Sequence, residues 1–326
     1  MTDAAAQHRS IAPVPQADAG RLPDFIIGGA PKCGTTSLHF ILDQHADIAL
    51  PPDEVNFLDA DDPINWPDFF FVRSGTLDWR DPRAVEWYKS RFALPSAPHV
   101  TGEDSTRYLF SPAVPYRVSD LMPNARVIFM LRDPVKRAYS QYWHDIKMMR
   151  ETRSLEAAIS KNPSIVACST YAPHLRLWFD VLGRERVHVV LFEDFIAHRQ
   201  KTLDEVLDFI GAPRFDAPVQ QDWFNRTFYP SSTVAQRGLN LIGRHIARQR
   251  YRTHMKSQIT ATDRLVNRLY QNWFHKVNPL LLKSTRKPPM DTRTEAFLTG
   301  HLRDRNRDLS DLLDRDLAAV WPSMRT

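Results

Sequence analysis

Short apolar runs alternate along the chain with stretches of helical character. Three of these runs are rich in β-branched or bulky apolar residues and contain no Asp, Glu, Lys or Arg: Phe25–Gly28, Val127–Leu131 and Val187–Phe192. Such runs are typical of strands buried on both faces of a parallel sheet. Helices are predicted between or beside them, over Thr35–Gln44, Val135–Met149 and Tyr171–Leu182. The alternation predicts an α/β protein, a three-layer P-loop-like fold whose central, mostly parallel sheet is flanked by helices.

The segment after the first run has the residue types that bind a phosphate or sulfuryl group. It reads Pro-Lys-Cys-Gly-Thr-Thr-Ser-Leu over Pro31–Leu38 and places a tight turn at the beginning of a helix. The first N–H groups of a helix have no partner within it, and the aligned peptide dipoles leave partial positive charge there. A glycine permits the turn, a lysine adds a charge and hydroxyl groups add donors. The candidate anion-binding residues are Pro31, Lys32, Cys33, Gly34, Thr35, Thr36 and Ser37.

A P-loop-type nucleotide kinase is the first alternative for such a loop. In that motif the lysine comes directly after the last glycine and before Ser or Thr. Here Thr35 follows Gly34, and Lys32 stands two positions earlier than the glycine. No acidic residue that follows an apolar strand and suits Mg²⁺ is evident in the sequence. The position of the lysine therefore disfavours the kinase, which stays as an alternative.

A second phosphate-binding pattern follows the second apolar run. Arg132 comes directly after Val127–Leu131, Pro134 suits the first turn of the next helix, and Ser140 lies on that helix. A guanidinium at the end of a strand and a hydroxyl on the following helix can jointly hold one phosphate. Two such sites at two strand-to-helix junctions imply a ligand with two separated phosphates.

Together these segments resemble the donor site of sulfotransferases that use 3′-phosphoadenosine 5′-phosphosulfate (PAPS), with the heparan-sulfate-type domains closest in pattern. The resemblance extends over roughly Asp24 to Trp321. It implies that the first loop holds the 5′-phosphosulfate and that Arg132 and Ser140 hold the 3′-phosphate. A later segment, Lys283–Asp291, resembles the basic loop that closes over PAPS. That likeness adds Thr285, Arg286 and Lys287 as donor-binding candidates.

The implied reaction is in-line transfer of a sulfuryl group from PAPS to an acceptor hydroxyl or amine, without a metal. The acceptor is expected to be a carbohydrate, a glycolipid or a small natural product. Negative charge develops on the bridging oxygen of the leaving phosphate, and Lys32 is placed to stabilise that charge. The acceptor must also lose a proton to a nearby base. Lys32 and Glu54 are therefore the predicted catalytic residues.

The assignment of Glu54 rests on the resemblance. Within Pro51–Leu58, Glu54 matches the glutamate that heparan-type relatives use as a base, and Asn56 stands where those relatives usually have His or Gln. An exposed acid at a junction between a loop and a helix is the alternative interpretation. In Thr101–Tyr108 the family often has a lysine before Ser or Thr, and Asp104 occupies that place here.

Composition and length are those of a globular enzyme. The chain has 326 residues, 43% of them hydrophobic, and its two cysteines indicate no disulfide framework. Cys33 lacks a suitably spaced His or Asp, so we interpret it as a small loop residue and not as a nucleophile. Residues 1–22 are expected to be a disordered lead-in without a signal peptide. Residues 23–326 are expected to form a single sulfotransferase domain with a basic helical insertion around 233–276, in a cytoplasmic, bacterial protein.

The basic region allows more than one interpretation. Arginines and lysines recur over residues 237–256, while Leu239, Ile242 and Ile246 predict an amphipathic helix with one cationic face. A solvated surface, a polyanion and an anionic membrane surface all fit that face. A non-catalytic protein that binds a polyanion or a membrane is therefore the third hypothesis. A formal net charge of +5 does not indicate nucleic acid, no nucleic-acid-binding motif is present, and the oligomeric state stays open.

Two long connections are the candidate walls of the acceptor cleft. They are Asp59–Arg80 and Phe215–Ser232, and loops of this length in a compact domain are often functional. Their aromatic side chains suit either stacking on an acceptor or packing in the core. The aromatic candidates are Trp66, Phe69, Phe70, Phe71, Trp79, Trp223 and Phe228.

Overall fold

The structure is a computed structural model that describes residues 20–62, 78–92, 100–217, 228–251 and 260–325. Within these residues no helix is both long enough and apolar enough to cross a membrane.

A parallel sheet forms the centre of the described part of the protein. Its strands are β1 (Phe25–Gly29), β2 (Ile48–Ala49), β3 (Val100–Asp104), β4 (Arg126–Leu131) and β5 (Val187–Leu191). They lie in the order β2-β3-β1-β4-β5, and every neighbouring pair is parallel. All residues of β1 and β3 are buried, as expected for strands covered on both faces. The antiparallel pair β6 (Tyr229–Pro230) and β7 (Leu282–Ser284) lies outside this sheet.

Helices connect and flank the strands. They are α1 (Thr35–Leu42), α2 (Pro82–Ser90), α3 (Val114–Leu121), α4 (Pro134–Lys147), α5 (Leu155–Lys161), α6 (Ser164–Ala167), α7 (Ala172–Leu182), α8 (Phe192–Ala197), α9 (Arg199–Ile210), α10 (Thr233–Tyr251), α11 (Ala261–Asn272), α12 (Thr292–Arg305), α13 (Leu309–Leu313) and α14 (Leu317–Val320). Short 3₁₀ turns occur at Tyr108–Phe110, Arg184–Arg186, Asn278–Leu280 and Pro322–Met324, and a π-helical turn at Trp273–Val277.

The architecture confirms the predicted α/β fold class. The three predicted strands are present, and the third is one residue shorter than predicted, because Phe192 begins α8. Helix α4 begins at Pro134, whose missing N–H costs nothing at the first helical position. The carboxylate of Asp133 caps this helix by accepting from the N–H groups of Val135 and Lys136.

The strand order determines where a site can form. Strand β1 lies between β3 and β4, so the loops that follow these three strands meet at the carboxyl edge of the sheet. Ligands of open α/β sheets bind at this edge. The sheet packs against the main hydrophobic core. In this core the buried rings of Phe129 and Trp178 have centroids 5.0 Å apart.

Helix α10 packs through a different face from the one predicted. Leu239 and Ile246 are half-buried, but Ile242 is 61% exposed. The buried residues of the helix are Gln236, Asn240, Gly243 and Ala247. The amide of Asn240 donates to the carbonyls of Ile146 and Glu151, at and just beyond the end of α4. The last carbonyls of a helix have no donor within it, and the amide of Asn240 supplies donors at the end of α4. A polar residue therefore lies on the contact face of α10, where the apolar periodicity predicts a hydrophobic one.

Candidate active site

The loop between β1 and α1 has the backbone of an anion-binding turn. Gly34 caps α1 in the left-handed region, with φ of 94°, and Lys32 also has a positive φ of 72°. A Cβ atom on Gly34 would lie 2.7 Å from the ring of Phe192, so only glycine fits here. Within the described part of the chain, the N–H groups of Gly34, Thr35 and Thr36 donate no hydrogen bond. They are available to an anion.

A buried arginine supports this loop. Arg137 is fully buried, and its guanidinium donates to Ser169 Oγ at 2.6 Å, to the carbonyl of Ile165 at 2.7 Å and to the carbonyl of Pro31 at 3.4 Å. The last of these bonds joins α4 to the loop after β1. Sequence reasoning did not predict this role for Arg137.

Cys33 faces inward from the loop. Its side chain is buried, and its Sγ lies 3.8 Å from the hydroxyl of Tyr171. Burial raises the pKa of the thiol to about 11, against the opposing effect of the nearby Arg137 charge. A protonated, buried thiol is a poor nucleophile, which agrees with the interpretation of Cys33 as a small loop residue.

The ammonium group of Lys32 meets a histidine that the sequence did not single out. Lys32 Nζ lies 3.1 Å from Nδ1 of His144 on α4. Burial and the positive charges of Lys32, Arg150 and Lys147 hold the pKa of His144 well below its ordinary value, so the neutral ring accepts from the ammonium. His144 is one turn after Ser140 on the same face of α4, and this spacing is the signal that could have identified it.

Burial also acts on Lys32 itself. The side chain is only partly exposed, and desolvation together with the nearby Lys147 charge lowers the pKa of Lys32 to about 8. An approaching anion would favour the charged form of this group. The site therefore holds a cation whose protonation is sensitive to an anionic ligand.

Arg132, from the second predicted phosphate site, contacts the loop of the first site. Its Nη1 donates to the carbonyl of Lys32 at 3.5 Å, and its guanidinium lies 4.7 Å from the centroid of the Phe192 ring. The Nε atom of Arg132 is buried and has no hydrogen-bond partner among the described groups. A buried donor without a partner is costly, so this arrangement suits an anionic ligand that would supply the missing acceptor.

The late basic segment contributes one residue to the same place. Lys287 Nζ lies 4.2 Å from the centroid of the Tyr139 ring, and the Tyr139 hydroxyl donates to the carbonyl of Pro288 at 2.8 Å. Burial lowers the pKa of Lys287 to about 8, with further lowering by the charges of Arg132 and Lys136. Mutual repulsion among these cations indicates a site that an anion would stabilise.

The other donor-binding candidates are less enclosed. Ser140 is half-buried on α4, directly after Tyr139. Thr285 and Arg286 are exposed, and the backbone N–H of Arg286 donates to Ser284 Oγ at 3.1 Å. Of the late basic residues, Lys287 is the one that the structure brings beside Arg132.

Glu54 lies next to the end of β3, in the loop that follows β2. The residue as a whole is exposed, but protein atoms surround its carboxyl group. The carboxylate accepts a hydrogen bond from Thr106 Oγ1 at 3.0 Å. This desolvation and the negative charge of Asp104 raise the pKa of Glu54 to about 7, against hydrogen bonds from Thr106 and Asn56. A carboxyl group with a pKa near neutrality suits general base chemistry.

Asp104 is paired with a histidine. The Oδ2 atom of Asp104 lies 3.3 Å from Nδ1 of His39 on α1, and both side chains are buried. Burial alone would lower the pKa of His39, but the bond and charge of Asp104 outweigh it and raise this pKa. The place where the resemblance expects a lysine is thus occupied by a buried acid and its partner.

Two of the aromatic candidates for the acceptor cleft, Trp79 and Phe228, lie within the described residues. Trp79 is packed against the main core, with the Arg80 guanidinium 4.4 Å from its ring centroid, and Phe228 is 43% exposed. The candidates that lie outside the described residues are Trp66, Phe69, Phe70, Phe71 and Trp223.

Comparison with known proteins found relatives in sequence and in fold. The sequence profile described as "Sulfotransferase family" matches residues 23–217. The bifunctional heparan sulfate N-deacetylase/N-sulfotransferase 3 of Mus musculus is 24% identical over 315 residues, which cover 90% of this chain and 30% of that protein. The bifunctional heparan sulfate N-deacetylase/N-sulfotransferase 1 of Caenorhabditis elegans is 26% identical over 207 residues, which cover 60% of this chain and 22% of that protein. This chain therefore spans less than a third of the length of these curated relatives.

A solved structure extends the comparison to the fold. The crystal structure of a sulfotransferase from Alicyclobacillus acidocaldarius superposes with a TM-score of 0.60 at 25% identity, over 92% of this chain and 98% of that one. The family match spans more than half of this chain and includes the loop after β1, Glu54 and Arg132. The resemblance found in the sequence is confirmed: the chain belongs to the sulfotransferase family.

Proposed function

We propose that this protein transfers the sulfuryl group of PAPS to an acceptor hydroxyl or amine by in-line displacement. The observation that carries the proposal is the 3.5 Å contact between Arg132 Nη1 and the carbonyl of Lys32. This contact brings the loop after β1 against the loop after β4. A single ligand with phosphates at both ends of an adenosine would use the two groups at once, whereas a nucleoside triphosphate has no group for the second site.

Each donor-binding group has a distinct task in this proposal. The free N–H groups at the start of α1 and the ammonium of Lys32 hold the 5′-phosphosulfate, and Lys32 stabilises the charge that develops on the bridging oxygen. Arg132, Ser140 and Lys287 hold the 3′-phosphate. PAPS supplies the activated sulfuryl group and leaves as adenosine 3′,5′-bisphosphate. The reaction is proposed to need no metal.

Glu54 is the proposed general base. With a pKa of about 7, the carboxylate is ionised in a useful fraction of molecules at neutral pH and can take the acceptor proton. Thr106 donates to Oε1 of the carboxylate at 3.0 Å, which helps to hold the group in one orientation. Asn56 cannot act as a base, and its buried position suits an orienting role.

The proposed acceptor is a hydroxyl of a carbohydrate, a glycolipid or a small natural product. Support for a carbohydrate comes from the curated relatives, whose names state that they act on heparan sulfate. The pair of Asp104 and His39 stands where those relatives are expected to have a lysine. We therefore propose an acceptor that does not depend on a lysine at this place for recognition.

Location and membrane contact are further parts of the proposal. We propose a cytoplasmic, bacterial enzyme, since such a cell makes PAPS in its cytoplasm. The exposed surface of α10 includes Val234, Leu241 and Ile242 together with Arg248. Apolar and cationic side chains on one helix suit the surface of an anionic membrane. This supports peripheral contact through the basic region 237–256, of which residues 252–259 lie outside the described part.

A label-transfer assay tests the reaction. Purified protein is incubated with ³⁵S-labelled PAPS and a panel of glycans, glycolipids and phenolic or aliphatic alcohols, and labelled product is counted. The wild type is expected to label at least one acceptor. Glu54→Gln should bind adenosine 3′,5′-bisphosphate within about twofold of the wild type but lose about 10²-fold or more in turnover. Glu86→Gln, which changes an exposed acid on α2, is the control. Near-normal transfer by Glu54→Gln would refute the base assignment.

A further inference from the structure

A buried carboxylate lies beneath the loop that carries Glu54. Glu103 in β3 is fully buried, and no Lys, Arg or His of the described chain lies within 4 Å of its carboxylate oxygens. Three hydroxyl groups donate to it instead: Ser105 Oγ at 2.6 Å, Tyr108 at 2.7 Å, and Tyr88. Burial raises the pKa of Glu103, and the three hydroxyl bonds act in the opposite direction.

Two of these hydroxyl groups also form hydrogen bonds with the backbone near Glu54. Ser105 Oγ accepts from the N–H of Asn56 at 2.8 Å, and the Tyr108 hydroxyl accepts from the N–H of Leu58 at 2.9 Å. Among the described residues, the third hydroxyl, that of Tyr88, makes no hydrogen bond to this loop. Glu103 is therefore connected to the segment that bears Glu54 through two separate side chains.

The backbone held in this way is under conformational strain. Asn56 adopts a positive φ of 51°, which is uncommon for a residue other than glycine. It is buried, and its N–H is bound by Ser105. Such conformations persist only where the surroundings determine them. The bond from Ser105 is one of the contacts that maintain the turn two residues after Glu54.

We propose that Glu103 is a positioning residue for Glu54, acting through Ser105 and Tyr108. The inference rests on the proposed role of Glu54 as the base. Ser105 Oγ and the Tyr108 hydroxyl both donate to Oε1 of Glu103, so the two hydroxyl oxygens present lone pairs to the backbone N–H groups of Asn56 and Leu58. Without that acceptor, either hydroxyl could rotate and release its N–H group. The carboxylate thus fixes the direction of two hydrogen bonds that hold the base loop.

The position of Glu54 matters because a base must lie within hydrogen-bonding distance of the proton that it removes. A misplacement of about 1 Å, even from a change outside the reacting groups, can cost about 10²-fold in rate. The donor site lies at other loops, around Lys32 and Arg132. A loosened base loop should therefore reduce turnover and leave nucleotide binding intact.

Two tyrosines provide a matched test. Tyr108→Phe and Tyr88→Phe each delete one buried hydroxyl that donates to Glu103, but only Tyr108 passes a bond to the base loop. We expect kcat of Tyr108→Phe to fall at least fivefold further than kcat of Tyr88→Phe. The Kd for adenosine 3′,5′-bisphosphate, measured by calorimetry, should stay within about twofold of the wild type in both variants. Ser105→Ala tests the second link in the same way, should Tyr108→Phe fail to fold.

The outcomes separate this inference from the proposed function. Equal falls in kcat for Tyr108→Phe and Tyr88→Phe, with Glu54→Gln inactive, would overturn the role of Glu103 and leave Glu54 as the base. Full activity of Glu54→Gln would overturn the proposed base and with it this inference. In the Glu54→Gln background, Tyr108→Phe should cause no further loss, because the network acts through Glu54. An additional fivefold loss there would contradict the proposal.

Discussion

Lys32 Nζ lies 3.1 Å from Nδ1 of His144, which ties the loop after β1 to the C-terminal half of α4. The histidine is held neutral by burial and by surrounding positive charge, so the ammonium donates to it. The same surroundings lower the pKa of Lys32 to about 8. The cation proposed to stabilise the leaving phosphate is therefore close to losing its proton before the donor binds.

The first prediction is a bell-shaped pH dependence of kcat/KM. Glu54 must be ionised to accept a proton, so the rate should fall as pH drops below its pKa of about 7. Lys32 must be protonated, so the rate should also fall as pH rises above its pKa of about 8. Lys32→Arg should abolish the alkaline limb even if the variant is slower, because arginine stays charged. A wild-type profile that is flat from pH 6 to 9 would contradict both assignments.

The second prediction concerns the 3′-phosphate. Arg132→Ala should weaken the binding of PAPS and of adenosine 3′,5′-bisphosphate much more than the binding of adenosine 5′-phosphosulfate. Only the first two carry the 3′-phosphate that Arg132 is proposed to hold. A charge-assisted contact contributes about 1.5–3 kcal/mol, or roughly 10- to 150-fold in Kd. Lys161→Ala on the exposed end of α5 controls for loss of a positive charge. Equal weakening of all three nucleotides by Arg132→Ala would rule out the placement.

The third prediction separates two neighbours in the late basic segment. Lys287 is partly buried beside the Arg132 charge, whereas Arg286 is exposed. Lys287→Ala should raise the Kd for adenosine 3′,5′-bisphosphate about tenfold or more, and Arg286→Ala should raise it less. Titration calorimetry on both variants measures the difference. A larger effect for Arg286→Ala would show that this segment approaches the nucleotide in another way.

The fourth prediction tests the turn itself. Gly34→Ala places a Cβ atom 2.7 Å from the Phe192 ring at a positive φ, so it should lower the free energy of unfolding by about 1–3 kcal/mol and impair nucleotide binding. Gly300→Ala is the control, because a Cβ there meets nothing within 4 Å in α12. This control should raise the free energy of unfolding by about 0.5–1 kcal/mol. Denaturant unfolding compares the two, and an undisturbed Gly34→Ala variant would contradict the described turn.

The features carried by local pattern could be predicted from the sequence. Apolar runs predicted β1, β4 and β5, and the spacing of Lys32 and Gly34 distinguished the loop from that of a nucleotide kinase. The carboxyl edge of a parallel sheet then placed the loop beside Arg132, and the structure shows the two in contact. Such inferences need only a few neighbouring residues and the general geometry of α/β sheets.

Contacts between distant residues could not be predicted in this way. The bond between Lys32 and His144 joins positions 112 residues apart. The helical spacing from Ser140 assigns His144 to a face of α4, but it does not show that Lys32 lies against that face. Glu103 looks like any acid in the sequence, and its role depends on hydroxyls that the fold brings around it. The prediction that Ile242 belongs to the apolar face of α10 was wrong. The contact face carries Asn240 instead, because its amide donates to the carbonyls of Ile146 and Glu151.

Titration of the protein with adenosine 3′,5′-bisphosphate in the presence of EDTA shows whether one ligand uses both phosphate sites. We expect saturable binding with one site per chain, loss of affinity in Arg132→Ala and in Lys32→Ala, and no competition from ATP with Mg²⁺ at equal concentration. Absence of binding to the bisphosphate, or binding of ATP that requires Mg²⁺, would contradict a cleft built for two separated phosphates.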